Sequence, residues 1–138
     1  MNILFLCVGN SARSQIAEGL AKHMFGQNND IRSAGSKPSG FVHEIAVEVM
    51  NEIGIDISKH QSKSINNLDD KFLNNLDFVI TLCAEQVCPA LPSKAQLLQW
   101  MHEDPANTKY NTIESKLSFT KTRDNLFSLL KKFMIDNL

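Results

Sequence analysis

The sequence predicts an α/β fold, a parallel sheet covered by helices on both faces. Three observations carry this expectation. The runs Asn2-Ile3-Leu4-Phe5-Leu6 and Asp77-Phe78-Val79-Ile80-Thr81-Leu82 are apolar with no alternation, as in strands buried on both sides. Between and beyond them, apolar residues recur at helical spacing. Clusters of Gly, Ser and Pro punctuate the joins, and strands that alternate with helices build a parallel sheet.

The first strand ends at Leu6. From Ser14 to Phe25, the residues Ile16, Ala17, Leu20, Ala21, Met24 and Phe25 form a helical stripe, which Gly26 is expected to stop as a cap. Asp30 to Ala34 reads as a short strand, closed by the turn-rich Gly35-Ser36-Lys37-Pro38-Ser39-Gly40. Ile45, Ala46, Val49 and Met50 mark a second helix that closes at Gly54, and Ile55 to Ser64 is expected to be irregular. Leu68 to Leu76 suggests a short helix, and Gln96 to Trp100 a weaker fourth strand. A last helix is expected from about Thr112 to Asn137, carrying Leu117, Leu126, Leu129, Leu130, Phe133 and Met134, with Phe119-Thr120-Lys121 interrupting it.

A chain of 138 residues is the length of one ordinary domain, here expected to span 1–138. With 43% hydrophobic and 21% charged residues it is globular in composition, and a net charge of −1 gives no basic field for nucleic acid. The apolar stretch at the N-terminus has no basic lead-in and is too short for a signal peptide, and no segment approaches a membrane span. A cytoplasmic, membrane-free protein is expected, monomeric by default. Its three cysteines then argue against a structural disulfide framework.

The chemistry concentrates in Cys7-Val8-Gly9-Asn10-Ser11-Ala12-Arg13-Ser14, where the first strand gives way to the first helix. A strand–loop–helix junction aims backbone N–H groups and the positive end of the helix dipole at one spot, which attracts a tetrahedral oxyanion. The same field favours the Cys7 thiolate, which is the nucleophilic form. Arg13 adds a planar fork of donors able to grip two oxygens at once. A lone cysteine ending a strand is often only a small buried hydrophobe, but the Gly-Asn-Ser turn and Arg13 favour the functional reading.

In a parallel sheet the ligand sits beyond the carboxyl ends of the strands, so Cys7, Cys83 after the third strand and Asp104 after the fourth should share one edge. Thr81-Leu82-Cys83-Ala84-Glu85-Gln86-Val87-Cys88-Pro89 holds two thiols. Zinc held by these thiols with His43, His60 or His102 is disfavoured, because the tight cysteine knuckle is missing. Buried spectators or a redox pair remain, and the shared edge favours redox. Asp104-Pro105 is either a plain turn or an acid able to protonate a leaving oxygen.

With these residues in view, the chain resembles the thioredoxin-coupled arsenate reductases, which share a fold with the low-molecular-weight protein tyrosine phosphatases. The matching segments are Leu6 to Ser14 with Ala17-Glu18, Ser33-Ala34-Gly35, Gly54 to Ser58, Val79 to Cys83, Cys88-Pro89 and Asp104-Pro105. The Thr-Leu-Cys…Cys-Pro segment resembles the reductase specifically. The resemblance implies a three-layer α/β/α fold with a four-stranded parallel sheet of order 2-1-3-4. It implies that Val8, Gly9, Asn10, Ser11, Ala12, Arg13 and Ser14 bind arsenate or a phosphate-like oxyanion, and that Cys7, Cys83 and Cys88 form a thiol–disulfide relay assisted by Arg13 and Asp104. Thioredoxin, or glutaredoxin or glutathione, would be the reductant, and phosphatase activity through a phosphocysteine is the alternative.

No metal is required, but some related reductases bind potassium, which would sit near Asn10, Glu18 and Ser33 with a further ligand from Asn66 or Asp69. Glu18 reads equally as a plain helix-surface residue or as a member of that ion site. The interval between Cys83 and Cys88 is shorter than in the best-known relatives. Ala12 stands where the phosphatases often carry cysteine.

Overall fold

The computed structural model describes residues 1–83, 94–106 and 109–137. Strands β1 (Asn2–Cys7), β2 (Asp30–Gly35), β3 (Phe78–Cys83) and β4 (Gln96–His102) form one sheet in the order β2-β1-β3-β4, with every neighbouring pair parallel. Helices α1 (Arg13–Phe25), α2 (Glu44–Asn51), α3 (Asp70–Asn74) and α4 (Thr112–Asn137) connect or follow them. The order expected from the resemblance is therefore the one observed.

Why β1 shows no alternation is now evident. Ile3, Phe5 and Cys7 face a core shared with α1, α2 and α4, built on Ile16, Leu20, Met50, Phe119, Leu126 and Phe133. Leu4 and Leu6 face the other way, onto Leu68, Phe72, Leu73 and Leu76 around α3. Both faces are covered, so both must be apolar. Full burial of Phe5 or Leu4 contributes about 2–3 kcal/mol each. Phe133 ties the last helix to the sheet, its ring lying 4.8 Å from Phe78, 6.0 Å from Trp100 and 5.8 Å from Phe25.

The structure revises the sequence reading in four places. Helix α4 runs unbroken through Phe119-Thr120-Lys121, because Phe119 is fully buried and packs on His43 at 4.7 Å between centroids. Leu117 is exposed, so the core stripe is Phe119, Leu126, Leu130 and Phe133. The segment before β3 is a 3-10 turn at Ile65–Asn67 followed by the five-residue α3, shorter than expected because Asp69 caps it late by accepting from the Phe72 N–H at 2.7 Å. Helix α2 ends at Asn51, and a turn carries the chain to Gly54 at φ 79°. Among the described residues, no helix is long and apolar enough to cross a membrane.

Candidate active site

Parallel pairing brings the ends of β1, β3 and β4 to one edge of the sheet. Cys7 closes β1, Cys83 closes β3, and Asp104 lies two residues beyond β4. The loop from Cys7 to Ala12 is the built part of this edge.

Its carbonyls all point outward. Cys7 O accepts from the Ser36 N–H at 3.2 Å, Val8 O from Lys37 N at 2.9 Å, and Gly9 O from Ser39 N at 2.9 Å and the Ser62 hydroxyl at 3.0 Å. Asn10 O accepts from Gln15 Nε2 at 3.1 Å, Ser11 O from His43 N at 2.8 Å and Ala12 O from Ile16 N at 2.9 Å. Among the described residues no peptide is cis, so each outward carbonyl turns the following N–H inward. The result is a ring of amide donors over residues 8–13. It opens at the N-terminus of α1, where no side chain caps the helix and no acidic residue stands in the first turn.

Holding a ring this tight requires local concessions. Asn10 sits at φ 48°, a left-handed conformation that a side chain tolerates only when bonded in place. Its Nδ2 donates to Ser14 Oγ at 2.7 Å and Ser33 Oγ at 2.9 Å, while its Oδ1 accepts from Gln15 Nε2 at 3.0 Å and Lys63 N at 2.9 Å. Gly35 packs beneath the loop, where a Cβ would lie 2.4 Å from Val8 O. The floor therefore depends on hydrogen at that position.

Ser14 Oγ lies 2.9 Å from Cys7 Sγ. Because it already accepts from Asn10, its own proton is free for the sulfur, which thus has a hydroxyl donor beside it. Arg13 is buried, with Nη1 donating to His102 O at 2.9 Å, which ties the guanidinium to the end of β4. Cys83 is buried in the same apolar cluster as Cys7, and its thiol lies 3.9 Å from Leu6 O, beside the strand that carries Cys7. Asp104 is exposed, and its Oδ1 accepts from Ala106 N at 2.9 Å, so the turn reading of Asp104-Pro105 holds and one carboxylate oxygen stays available. Cys88 lies outside the described residues.

Glu18 departs from the surface reading. It is 3% exposed, and its Oε1 accepts from the Ser33 hydroxyl at 2.8 Å. Asn10, Ser33 and Glu18 thus come together as expected. Asn66 is exposed in the 3-10 turn, and Asp69 caps α3 and pairs with Arg32 at 2.9 Å instead. Around Glu18 stand Lys22 at 3.0 Å, His60 at 3.2 Å and Lys63 at 3.7 Å. Burial pushes His60 below its ordinary value against the pull of Glu18, and it pushes Lys63 down in the same way.

Gln15 and Lys63 are participants that the sequence reading missed, and His60 entered it only as a disfavoured zinc ligand. Gln15 carried one usable sign, a polar residue one position before Ile16 that would share the buried side of α1. The other two lie in the irregular stretch and reach the loop across 45 or more residues.

A ring of inward amides, a buried guanidinium and a thiol given a hydroxyl donor can bind a tetrahedral oxyanion and attack its central atom. The comparisons agree with that chemistry. The family model described as low molecular weight phosphotyrosine protein phosphatase matches residues 2–137. An arsenate reductase of Halalkalibacterium halodurans is 43% identical over 133 residues, covering 95% of this chain and 93% of the relative. A solved arsenate reductase in the phosphate-binding state superposes with a TM-score of 0.79 at 31% identity, over 97% of this chain and 96% of that one. A thioredoxin-dependent arsenate reductase of Corynebacterium glutamicum gives 0.71 at 30% identity, over 98% of this chain and 62% of that one.

Proposed function

Since this chain belongs to the low molecular weight phosphotyrosine protein phosphatase family, we propose that it turns the family's anion cradle to the reduction of arsenate to arsenite. The observation that carries this reading is the burial of Cys83 in the cluster that holds Cys7, at the edge where the ring of amides opens. A hydrolase needs one thiol there, whereas a reductase needs a second within reach. The arsenate reductase relatives support the same reading.

The chemistry balances with the residues at hand. Arsenate enters the ring, its oxygens held by the N–H groups and by Arg13. The Cys7 thiolate attacks arsenic(V) and an oxygen leaves as water, with Asp104 as the proton donor. The Cys83 thiolate then attacks Cys7 Sγ, and the electron pair of the breaking sulfur–arsenic bond stays on arsenic as arsenite. Two thiols are thereby oxidised to a Cys7–Cys83 disulfide while arsenic gains two electrons. Attack of Cys88 on Cys83 frees Cys7 as thiolate and leaves a Cys83–Cys88 disulfide. A dithiol protein of the thioredoxin type reduces that disulfide, an assignment that the thioredoxin-dependent relative favours over glutaredoxin or glutathione. The reaction suits a cytoplasmic, monomeric protein without resident metal.

Phosphatase chemistry needs only Cys7, Arg13 and Asp104, and the family description keeps it as the second reading. Turnover separates the two. With arsenate, thioredoxin, thioredoxin reductase and NADPH, wild type should consume NADPH and Cys83→Ser should not, while both hydrolyse an aryl phosphate slowly. Aryl phosphatase activity without any arsenate-driven NADPH loss in wild type would replace the reductase with the phosphatase.

A further inference from the structure

The buried Glu18 carboxylate sits at the far end of a directed chain of hydrogen bonds that leads to Cys7. Ser33 donates to Glu18 Oε1, so the Ser33 oxygen must accept, and it does so from Asn10 Nδ2. The second hydrogen of that amide goes to Ser14 Oγ, which leaves the Ser14 proton for Cys7 Sγ. The Asn10 amide nitrogen can only donate, and its oxygen is held by Gln15 and Lys63 N, so the chain runs in one sense with the Glu18 carboxylate as its terminal acceptor. A carboxylate 3% exposed needs a counter-charge.

A bound potassium ion is the counter-charge that the resemblance suggested, and the residues present do not fit it. Asn10 turns its amide nitrogen, a donor, towards Ser33, and its oxygen is already taken by Gln15 and by Lys63 N. Lys22 Nζ and His60 Nδ1 occupy Glu18 Oε2, and Lys63 Nζ approaches Oε1 at 3.7 Å while donating to Gln61 O at 3.2 Å. His60 faces the Gln15 Oε1 and Glu18 oxygens with one nitrogen, as a neutral imidazole donating from Nδ1 does. A metal ion would join two ammonium groups around a single carboxylate. Among the described residues, no group of three or more His, Cys, Asp or Glu could hold one.

We propose that the Lys63 ammonium is the built-in cation of this network, the counter-charge to the carboxylate that ends the hydrogen-bond chain from Cys7, so that the protein has no need of a monovalent metal ion. Lys63 is the better placed of the two lysines, because its side chain is 23% exposed where that of Lys22 is 48% and a charge in bulk water counts for less. Its backbone N–H also clamps Asn10 Oδ1, so both ends of the residue serve one structure. Lys63 is a positioning residue and touches no reacting atom. The inference rests on the nucleophilic reading of Cys7 and is independent of whether arsenic or phosphorus is attacked.

The test reads the thiol directly. Alkylation of Cys7 by iodoacetamide at neutral pH, in Cys83→Ser/Cys88→Ser protein, is followed in potassium chloride and in choline chloride at equal ionic strength. Protein with Lys63 intact should react at the same rate in both. Lys63→Met should slow roughly tenfold in choline, and potassium should restore part of the rate. Lys63→Arg, which keeps the charge, should match the parent in both salts. The proposal is overturned if potassium speeds the parent, if Lys63→Met keeps the parental rate in choline or gains nothing from potassium, or if Lys63→Arg is as slow as Lys63→Met. Failure of arsenate turnover would leave this readout untouched.

Discussion

Every carbonyl from Cys7 to Ala12 has a donor, and Asn10, Arg13, Ser14, Gln15, Glu18 and Ser33 beneath the loop are all buried. The stretch after β4 is the opposite: Glu103 and Asp104 are exposed, and Asp104 is held by a bond within its own turn. The first region is organised before a ligand arrives, so binding an anion costs little rearrangement. The second region presents a carboxylate to solvent, where it can exchange protons. In the proposed mechanism, preorganisation and proton traffic make conflicting demands on burial, and the two sets of residues stand on separate strands.

That division can be broken from either side. Asp104→Asn should lower the single-turnover rate of arsenate attack by about 10²–10⁴-fold, the usual weight of a general acid, while the dissociation constant for phosphate, read by calorimetry, stays within about twofold. A matching loss of phosphate affinity would place Asp104 in the cradle. Asn10→Ala should do the reverse. It leaves the Lys63 N–H without its acceptor and takes a donor from the Ser14 and Ser33 hydroxyls and an acceptor from the Gln15 amide, and should cost on the order of 3 kcal/mol in urea unfolding together with most of the phosphate affinity. Unchanged phosphate binding would show that the ring does not depend on its buried support.

The sequence made the first region legible because its chemistry is contiguous. Strand, thiol, turn and Arg13 fall within thirteen residues, and the apolar run of β1 announces a sheet covered on both sides. The shared edge of Cys7, Cys83 and Asp104 was legible too, since it follows from parallel topology alone. What stayed hidden was held by distant partners. Glu18 looks like a helix-surface residue until Ser33 from β2 and Lys63 from an irregular segment close over it. Phe119 beside Thr120 and Lys121 looked like a break, because the ring it packs on, His43, is far away in the chain. Local pattern reports periodicity, whereas burial of a polar side chain is decided by residues the pattern does not contain.

The division of labour matters only if Cys83 acts after Cys7, and one measurement addresses that most directly. Fully reduced protein is mixed with one equivalent of arsenate and no reductant, quenched in acid, and its cysteines are mapped by differential alkylation and mass spectrometry. The mechanism proposed above predicts a Cys83–Cys88 disulfide, a Cys7 thiol and one equivalent of arsenite. Three intact thiols with arsenate recovered unchanged would contradict it.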